Sequence, residues 1–228
     1  MNEQDFKDSS YDNLLGKYEE LLGKSYDYYM KVKACKILDI AKRFKNPQKL
    51  RCLDLGCGTG KAEEILFNDF KEILGLDISQ VMIKKANSKK LKNCTFIVGD
   101  ALKTNLSSNS SDVVFSICLL HHISKEKHGN LIKEAKRLAK RGGILIFFEH
   151  NKHNPITRYM AGKCPIDDVT KLLYPSYLKS LFLDNKIADV QVEYLLFFPR
   201  ILSGLSYFEK YLKKIPLGGQ YVVFGKKE

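Results

Sequence analysis

Two short stretches of the 228-residue chain hold side chains whose types and spacing bear on chemistry. The first is LDLGCGTG at 53–60, where Asp54 is followed by Gly56, Gly58 and Gly60. Glycines at alternate positions permit a tight turn and let a ligand approach the backbone closely. The second is EHNKHN at 149–154, where an apolar run stops at Glu149 and two histidines and two asparagines follow. His121 and His122 follow another apolar run. Histidine near its ordinary pKa suits proton abstraction. His150 and His121 are therefore the candidate bases, with Glu149 orienting one of them or accepting a hydrogen bond from an amine. A second reading stays open, in which Glu149, Asn151 and Asn154 satisfy loop backbone groups and Pro155 fixes the turn. His128 and His153 are expected to be solvated. No spacing among these histidines is diagnostic of a metal site, and none is assigned.

These residues need a scaffold, and the pattern of the chain supplies one. Strands are expected at 50–55, 72–77, 94–98, 112–118 and 144–148, alternating with helices at 61–69, 79–90 and 125–140. The strands show almost no polar alternation, which requires a parallel sheet buried on both faces by helices. A helix at 26–44 precedes this array. A helix at 174–185 and strands at 187–198 and 220–224 follow it. The glycine loop ends the first strand, Asp77 ends the second and Asp100 closely follows the third, all on the edge where open α/β sheets bind ligands. A carboxylate at Asp77 can accept both hydroxyls of a ribose. Asp100 can accept from an adenine amine, with Ile78 and Ala101 covering the faces of the ring. The loop is not a GxGxxG dinucleotide loop, because position 61 is lysine, and GxxxxGK[ST] is absent.

Composition narrows the class. Hydrophobic residues make up 44% and charged residues 28%, ordinary for a globular protein. The six cysteines form no CxxC pair and several sit in apolar runs, which predicts reduced thiols. No apolar run is long enough to span a bilayer, and the N-terminus lacks a secretory pattern, so a cytoplasmic location is expected. The net charge of +12 comes mostly from lysines spread over several helix faces, with no arginine-rich arm. That distribution disfavours nucleic acid as the substrate.

The ordered set DLGCGTG, the acid of GLDIS and the GDA at 99–101 resembles the class I S-adenosylmethionine-dependent methyltransferases. The resemblance extends to FSICLLHHI and the RGG turn, and covers residues 50–226. It implies a Rossmann-like α/β fold. The sheet would be seven-stranded and mostly parallel, closed by a C-terminal antiparallel hairpin, with helices on both faces. Residues 1–46 would form an N-terminal helical lid and 47–228 the methyltransferase domain. It further implies S-adenosylmethionine as cofactor and S-adenosylhomocysteine as product. Asp54, Gly56, Gly58 and Gly60 would line the methionine part, with backbone contacts from Cys57 and Thr59 and with Cys118 alongside. Asp77 would hold the ribose, Ile78 and Met82 would lie near the adenine, and Asp100 and Ala101 would hold the base.

The histidine-rich stretch then belongs to the acceptor side. Its continuation, Asn154-Pro155, Thr157-Arg158-Tyr159 and Cys164-Pro165-Ile166-Asp167-Asp168, resembles a bacterial subgroup linked to surface-polysaccharide and small-metabolite pathways. The expected acceptor is a small molecule, taken up by Tyr11, Tyr28, Tyr29, Lys33, Asn151 and Arg158. The aromatic and basic segment 195–221 is expected to shape that pocket or enter the core, with contact to an anionic membrane as the alternative. No oligomeric state is assigned.

Overall fold

The computed structural model describes residues 24–163 and 171–228. The sheet has seven strands: β1 (Arg51–Leu55), β2 (Glu72–Asp77), β3 (Cys94–Val98), β4 (Ser111–Ile117), β5 (Ala139–His150), β6 (Ala188–Leu195) and β7 (Gln220–Lys226). Their order is β3-β2-β1-β4-β5-β7-β6. The first five run parallel, and β7 inserts antiparallel between β5 and β6. The helices are α1 (Lys24–Lys42), α2 (Lys61–Leu66), α3 (Gln80–Ser88), α4 (His128–Leu138), α5 (Pro155–Lys163), α6 (Pro175–Asp184) and α7 (Glu209–Leu212). The strand order reverses between β1 and β4, so a crevice opens at their carboxyl ends.

Successive residues of a strand point to opposite faces, and here both faces are dry. Ile146 and Phe148 of β5 pack with Ile37 and Ile40 of α1 and with Phe224 of β7. Leu145 and Phe147 face the other way, against Leu131 and Ile132 of α4 and Phe182 of α6. Thus α1 is one of the layers covering the sheet. The stretch expected as a lid is a core helix over residues 30–41, with Ala34, Ile37 and Ile40 fully buried. The remainder of that expectation, residues 1–23, lies outside the described residues, as do 164–170. A buried ion network ties α1 to β6: Lys36 Nζ lies 2.8 Å and Arg43 Nη1 3.1 Å from the Glu193 carboxylate.

Several boundaries differ from the sequence reading. The RGG turn does not stand apart from β5; the strand starts at Ala139 and carries a bulge opposite β4. Gly142 has φ +75°, and its N–H donates to Lys227 O. The strand expected to reach residue 198 stops at Leu195. Leu196 has φ +61°, and the N–H groups of Leu196 and Phe197 donate to Glu209. A helix the sequence reading did not expect, α5, starts at Asn154-Pro155. The Asn154 side chain accepts from Thr157 N at 2.9 Å, and Pro155 takes the first helical position.

Candidate functional site

The glycine loop after β1 is shaped from two sides. Gly56 and Cys57 donate their N–H groups to Leu76 O in the neighbouring strand. A Cβ on Gly56, which has φ +83°, would come within 3.0 Å of the Leu119 side chain from the β4 loop. Gly58, with φ +53°, meets nothing within 4 Å at its Cβ position. The loop is therefore clamped at Gly56 and open at Gly58, which leaves room for a ligand against its backbone. The Gly58 N–H donates to Asp77 Oδ2 at 2.8 Å, and the Ser79 N–H donates to Asp77 Oδ1 at 2.9 Å. A carboxylate oxygen can accept more than one hydrogen bond, which makes Asp77 chemically suited to ribose hydroxyls. Ser79 also caps α3, accepting from Met82 N.

The remaining cofactor candidates fall along the same edge. Ile78, Thr59 and Ala101 are half-buried, and Asp100 is exposed with Oδ1 held by the Leu102 N–H at 2.8 Å. Cys118 is half-buried with φ +55°, a left-handed conformation that non-glycine residues adopt at some cost, and its N–H donates to Phe148 O. Two of the candidates have inward-facing side chains, which bears on Met82 and leaves the backbone contact expected of Cys57 untouched. Met82 is buried in the first turn of α3, which removes it from a groove surface. Cys57 is buried against Phe96 and Ile83, and burial pushes its thiol well up.

Below the loop lies a pair of acids of which the sequence reading used only one. Asp54 and Glu63 are both buried, and Asp54 Oδ1 and both Glu63 oxygens lack a hydrogen-bond donor. Burial, then the neighbouring Glu63, pushes the Asp54 carboxyl well up, and burial pushes Glu63 up to about 7. An unpaired buried carboxyl group is costly unless protonated or met by a cation. The cofactor's methionine ammonium has that character. Open space at Gly58, hydroxyl acceptors at Asp77 and an acid pair beneath the loop together fit S-adenosylmethionine.

The acceptor edge is built from the ends of β4 and β5. Glu149 is buried and divides its carboxylate. Oε1 accepts from Leu120 N at 2.7 Å, and Oε2 lies 2.6 Å from His121 Nδ1. With Nδ1 donating to the carboxylate, the basic nitrogen of neutral His121 is Nε2. The His122 ring stands 4.0 Å from that of His121, and the His150 ring 5.2 Å. His150 has a different partner: its Nδ1 lies 3.2 Å from Gln220 Nε2, and Gln220 Oε1 is buried without a partner. An amide N–H donated to Nδ1 puts the proton of neutral His150 on Nε2, which makes that nitrogen a donor. The geometry thus separates the two candidates. At His121 the carboxylate leaves Nε2 as the lone-pair nitrogen, whereas at His150 the Gln220 amide leaves Nε2 as the N–H.

Other expected acceptor residues are placed less uniformly. Asn151 is buried and spends its amide on the backbone, donating to Pro216 O and Gly218 O and accepting from His153 N. It fastens the 216–219 loop to β5 and corrects the substrate-binding expectation. Lys33, expected to meet an anionic acceptor group, is buried on α1. Tyr28 and Tyr29 stack edge-on at 5.7 Å near the start of α1, and the Tyr28 hydroxyl is buried without a partner. Burial and nearby Glu209 raise its pKa. Arg158 is exposed on α5, and Tyr11 lies outside the described residues. His128, expected in solvent, is buried between Tyr177 Oη and Ile123 O, whereas His153 is exposed as expected. Among the described residues no group of three metal-ligating side chains occurs.

The sequence reading missed Glu63, Ser79 and Gln220. A capping serine before α3 was legible, whereas Glu63 and Gln220 gain their roles from contacts across the fold.

Comparison with known proteins agrees with this geometry. Residues 53–147 match the family model described as a methyltransferase domain. An uncharacterized methyltransferase of Geobacillus sp. (strain WCH70) is 30% identical over 95 residues, 42% of this chain and 45% of that protein. The 2-methyl-6-phytyl-1,4-hydroquinone methyltransferase of a Synechocystis species is 32% identical over 111 residues, 47% of this chain and 34% of that protein. The chain thus spans less than half the length of these two curated relatives. The crystal structure of a SAM-dependent methyltransferase from Archaeoglobus fulgidus superimposes with a TM-score of 0.69 at 19% identity, over 87% of this chain and 94% of that one, a likeness of fold. The matched segment runs from the glycine loop through β5, and over it this chain is similar to methyltransferases in sequence and to an S-adenosylmethionine-dependent methyltransferase in fold.

Proposed function

We propose that the protein transfers the methyl group of S-adenosylmethionine to an oxygen or nitrogen atom of a small molecule, with His121 as the base when the acceptor is a hydroxyl. A cytoplasmic location is part of this reading. The observation that carries it is the buried Glu149–His121 pair at the acceptor end of β4 and β5. When bound, the cofactor supplies an electrophilic methyl group on a sulfonium sulfur. The chain's own task is then to bind, align and deprotonate. Asp77 and Asp100 hold the nucleoside end, and the loop at 56–60 receives the methionine end. His121 Nε2 would take the acceptor proton and Glu149 would stabilise the resulting imidazolium, while the cofactor would give up its methyl group and leave as S-adenosylhomocysteine. For an amine acceptor the same pair removes a proton from the ammonium product or its precursor. Holding donor and acceptor in line supplies most of the rate enhancement.

The test is S-adenosylmethionine labelled on its methyl group, incubated with the protein and a fractionated cell extract. Label in a small-metabolite, lipid or glycan fraction supports the reading. Label in RNA or protein overturns its substrate class. No label, with cofactor bound, would mean that this chain needs a partner to act.

A further inference from the structure

The segment between β6 and β7 breaks an elementary rule of folding. Residues 200–212 form a 3-10 helix, Arg200–Phe208, followed by α7, and neither element buries a single residue. Yet the sequence there, RILSGLSYFEKYL, is strongly apolar. Ile201 is 90% exposed and Tyr211 68%, and Leu202, Leu205, Tyr207 and Phe208 are also exposed. The sequence reading favoured pocket or core for this stretch, and the core part of that expectation fails. The neighbouring helix α5 extends the same character, with Ile156 71% exposed and Tyr159 and Met160 exposed as well. The two segments are fastened to each other. Asn154 Nδ2 donates to Leu217 O at 2.6 Å, and Thr157 Oγ1 donates to Gly219 O at 2.8 Å. Most of the large exposed apolar side chains of the described residues thus belong to these two segments, a cap joined where residues 154–157 meet 217–219. Monomeric proteins rarely expose apolar area on this scale without a partner for it.

Charge identifies the partner. Residues 155–163 and 199–217 carry Arg158, Lys163, Arg200, Lys210, Lys213 and Lys214 against the single carboxylate of Glu209. That carboxylate is turned into the protein, accepting the N–H groups of Leu196 and Phe197. Lys213 reaches Glu193 at 3.5 Å, and the other five cations are exposed. Lys210 Nζ stands 3.8 Å from the centre of the Tyr207 ring and 4.8 Å from that of Tyr211, and Lys163 Nζ 4.6 Å from that of Tyr159. Aromatic rings that pair with lysines beside bare aliphatic side chains suit the headgroup zone of a bilayer. There the rings and aliphatic chains enter the acyl boundary while the cations stay with the phosphates. A folded protein partner would meet the apolar face equally well but gives no reason for so one-sided a charge.

From this cap we infer that the protein docks on anionic lipid bilayers through residues 155–163 and 199–217. Among the described residues no helix is long and apolar enough to cross a membrane, so the contact is peripheral. The cap grows from the end of β5 and the Leu195–Gln220 pairing of β6 and β7, the edge that holds His121 and Glu149. Docking therefore brings the acceptor side of the site to the lipid surface. The docking stands whether or not the transfer reading holds, because neither cofactor nor acceptor enters its test.

The experiment is co-sedimentation of the full chain with large vesicles of phosphatidylcholine, alone and mixed with phosphatidylglycerol. The protein is expected to sediment with the mixed vesicles and not with phosphatidylcholine alone, and to be released by salt. Ile201→Asp with Phe208→Asp, and separately Lys210→Glu with Lys214→Glu, are each expected to weaken that binding by about tenfold or more. Their thermal melts should match the wild type, because these side chains are exposed. Failure of the wild type to sediment with the mixed vesicles overturns the inference. So does binding that survives both double variants, which would place the contact on another face such as the basic cluster of Lys133, Lys136 and Lys227. A wild-type dimer that the aspartate variants convert to monomer, without vesicle binding, assigns the cap to a second copy. Capture of RNA in preference to vesicles assigns it to nucleic acid. Either result also overturns the inference.

Discussion

His121 Nδ1 lies 2.6 Å from Glu149 Oε2, and the other oxygen of that buried carboxylate accepts the Leu120 N–H at 2.7 Å. One side chain at the end of β5 therefore fixes both the backbone after β4 and the tautomer of the histidine carried by it. Glu149→Gln keeps the bond from Leu120 through its carbonyl oxygen but presents an amide N–H to His121. The histidine must then accept at Nδ1 and carry its proton on Nε2, which removes the base. With a hydroxyl acceptor, kcat should fall about 100-fold while cofactor affinity changes little. His121→Asn should match it. Unchanged turnover in both variants would remove the base assignment.

His150 is predicted to behave differently. Its Nδ1 is met by the Gln220 amide, which leaves the ring proton on Nε2, the arrangement of a positioning donor rather than of a base. His150→Ala should raise KM by about tenfold, the scale of a lost hydrogen bond, with a smaller effect on kcat. Gln220→Leu should shift KM the same way. A loss confined to kcat in His150→Ala would return this histidine to the role of base.

Asp77 links the glycine loop to α3 through the N–H groups of Gly58 and Ser79. Asp77→Ala removes the ribose acceptor and leaves both N–H groups without it. Cofactor affinity, read by calorimetry, should drop at least about tenfold, with circular dichroism unchanged. Wild-type affinity would sink the ribose assignment.

The buried Asp54–Glu63 pair predicts a pH dependence of stability in the cofactor-free protein. Burial raises the Glu63 carboxyl from 4.5 to about 7, so the folded chain holds this proton more tightly than the unfolded chain. Stability from this source is fully present below about pH 4.5 and is lost as the pH rises toward 7. Glu63→Gln should flatten that window and melt higher than wild type at pH 8. Parallel melting curves for the two proteins from pH 5 to 8 would refute the shift.

Glu193 predicts the opposite sign. Burial opposes its ionisation, but Arg43 and Lys36 outweigh burial and hold its carboxyl down at about 2. Its contribution is present above the ordinary pKa of 4.5 and is lost as the pH falls toward 2. Glu193→Gln should lower unfolding stability at neutral pH by about 1.5–3 kcal/mol, measured by urea denaturation, because α1 loses its anchor on β6.

The sequence alone placed the glycine loop and Asp77 on one edge of the sheet. Strand β2 lies where its apolar run placed it, because a strand covered on both faces is apolar nearly throughout and leaves an unbroken trace; the edge strand β3 also lies where its run placed it, although Thr95 and Val98 are exposed. The glycine loop and Asp77 were legible for a related reason: each sits where a strand ends, and a turn that admits a ligand restricts residue types locally. What joins distant positions was left to the tertiary structure. His121 and Glu149 are 28 residues apart, and His150 and Gln220 are 70 apart. Only the parallel β4–β5 and antiparallel β5–β7 registers bring them together, and the partner each histidine meets there then sets which ring nitrogen carries its proton. The cap at 199–217 shows the same limit from the other side. Apolar residues at helical spacing read alike whether they enter a core or face outward, because spacing records which residues share a face and not what covers it.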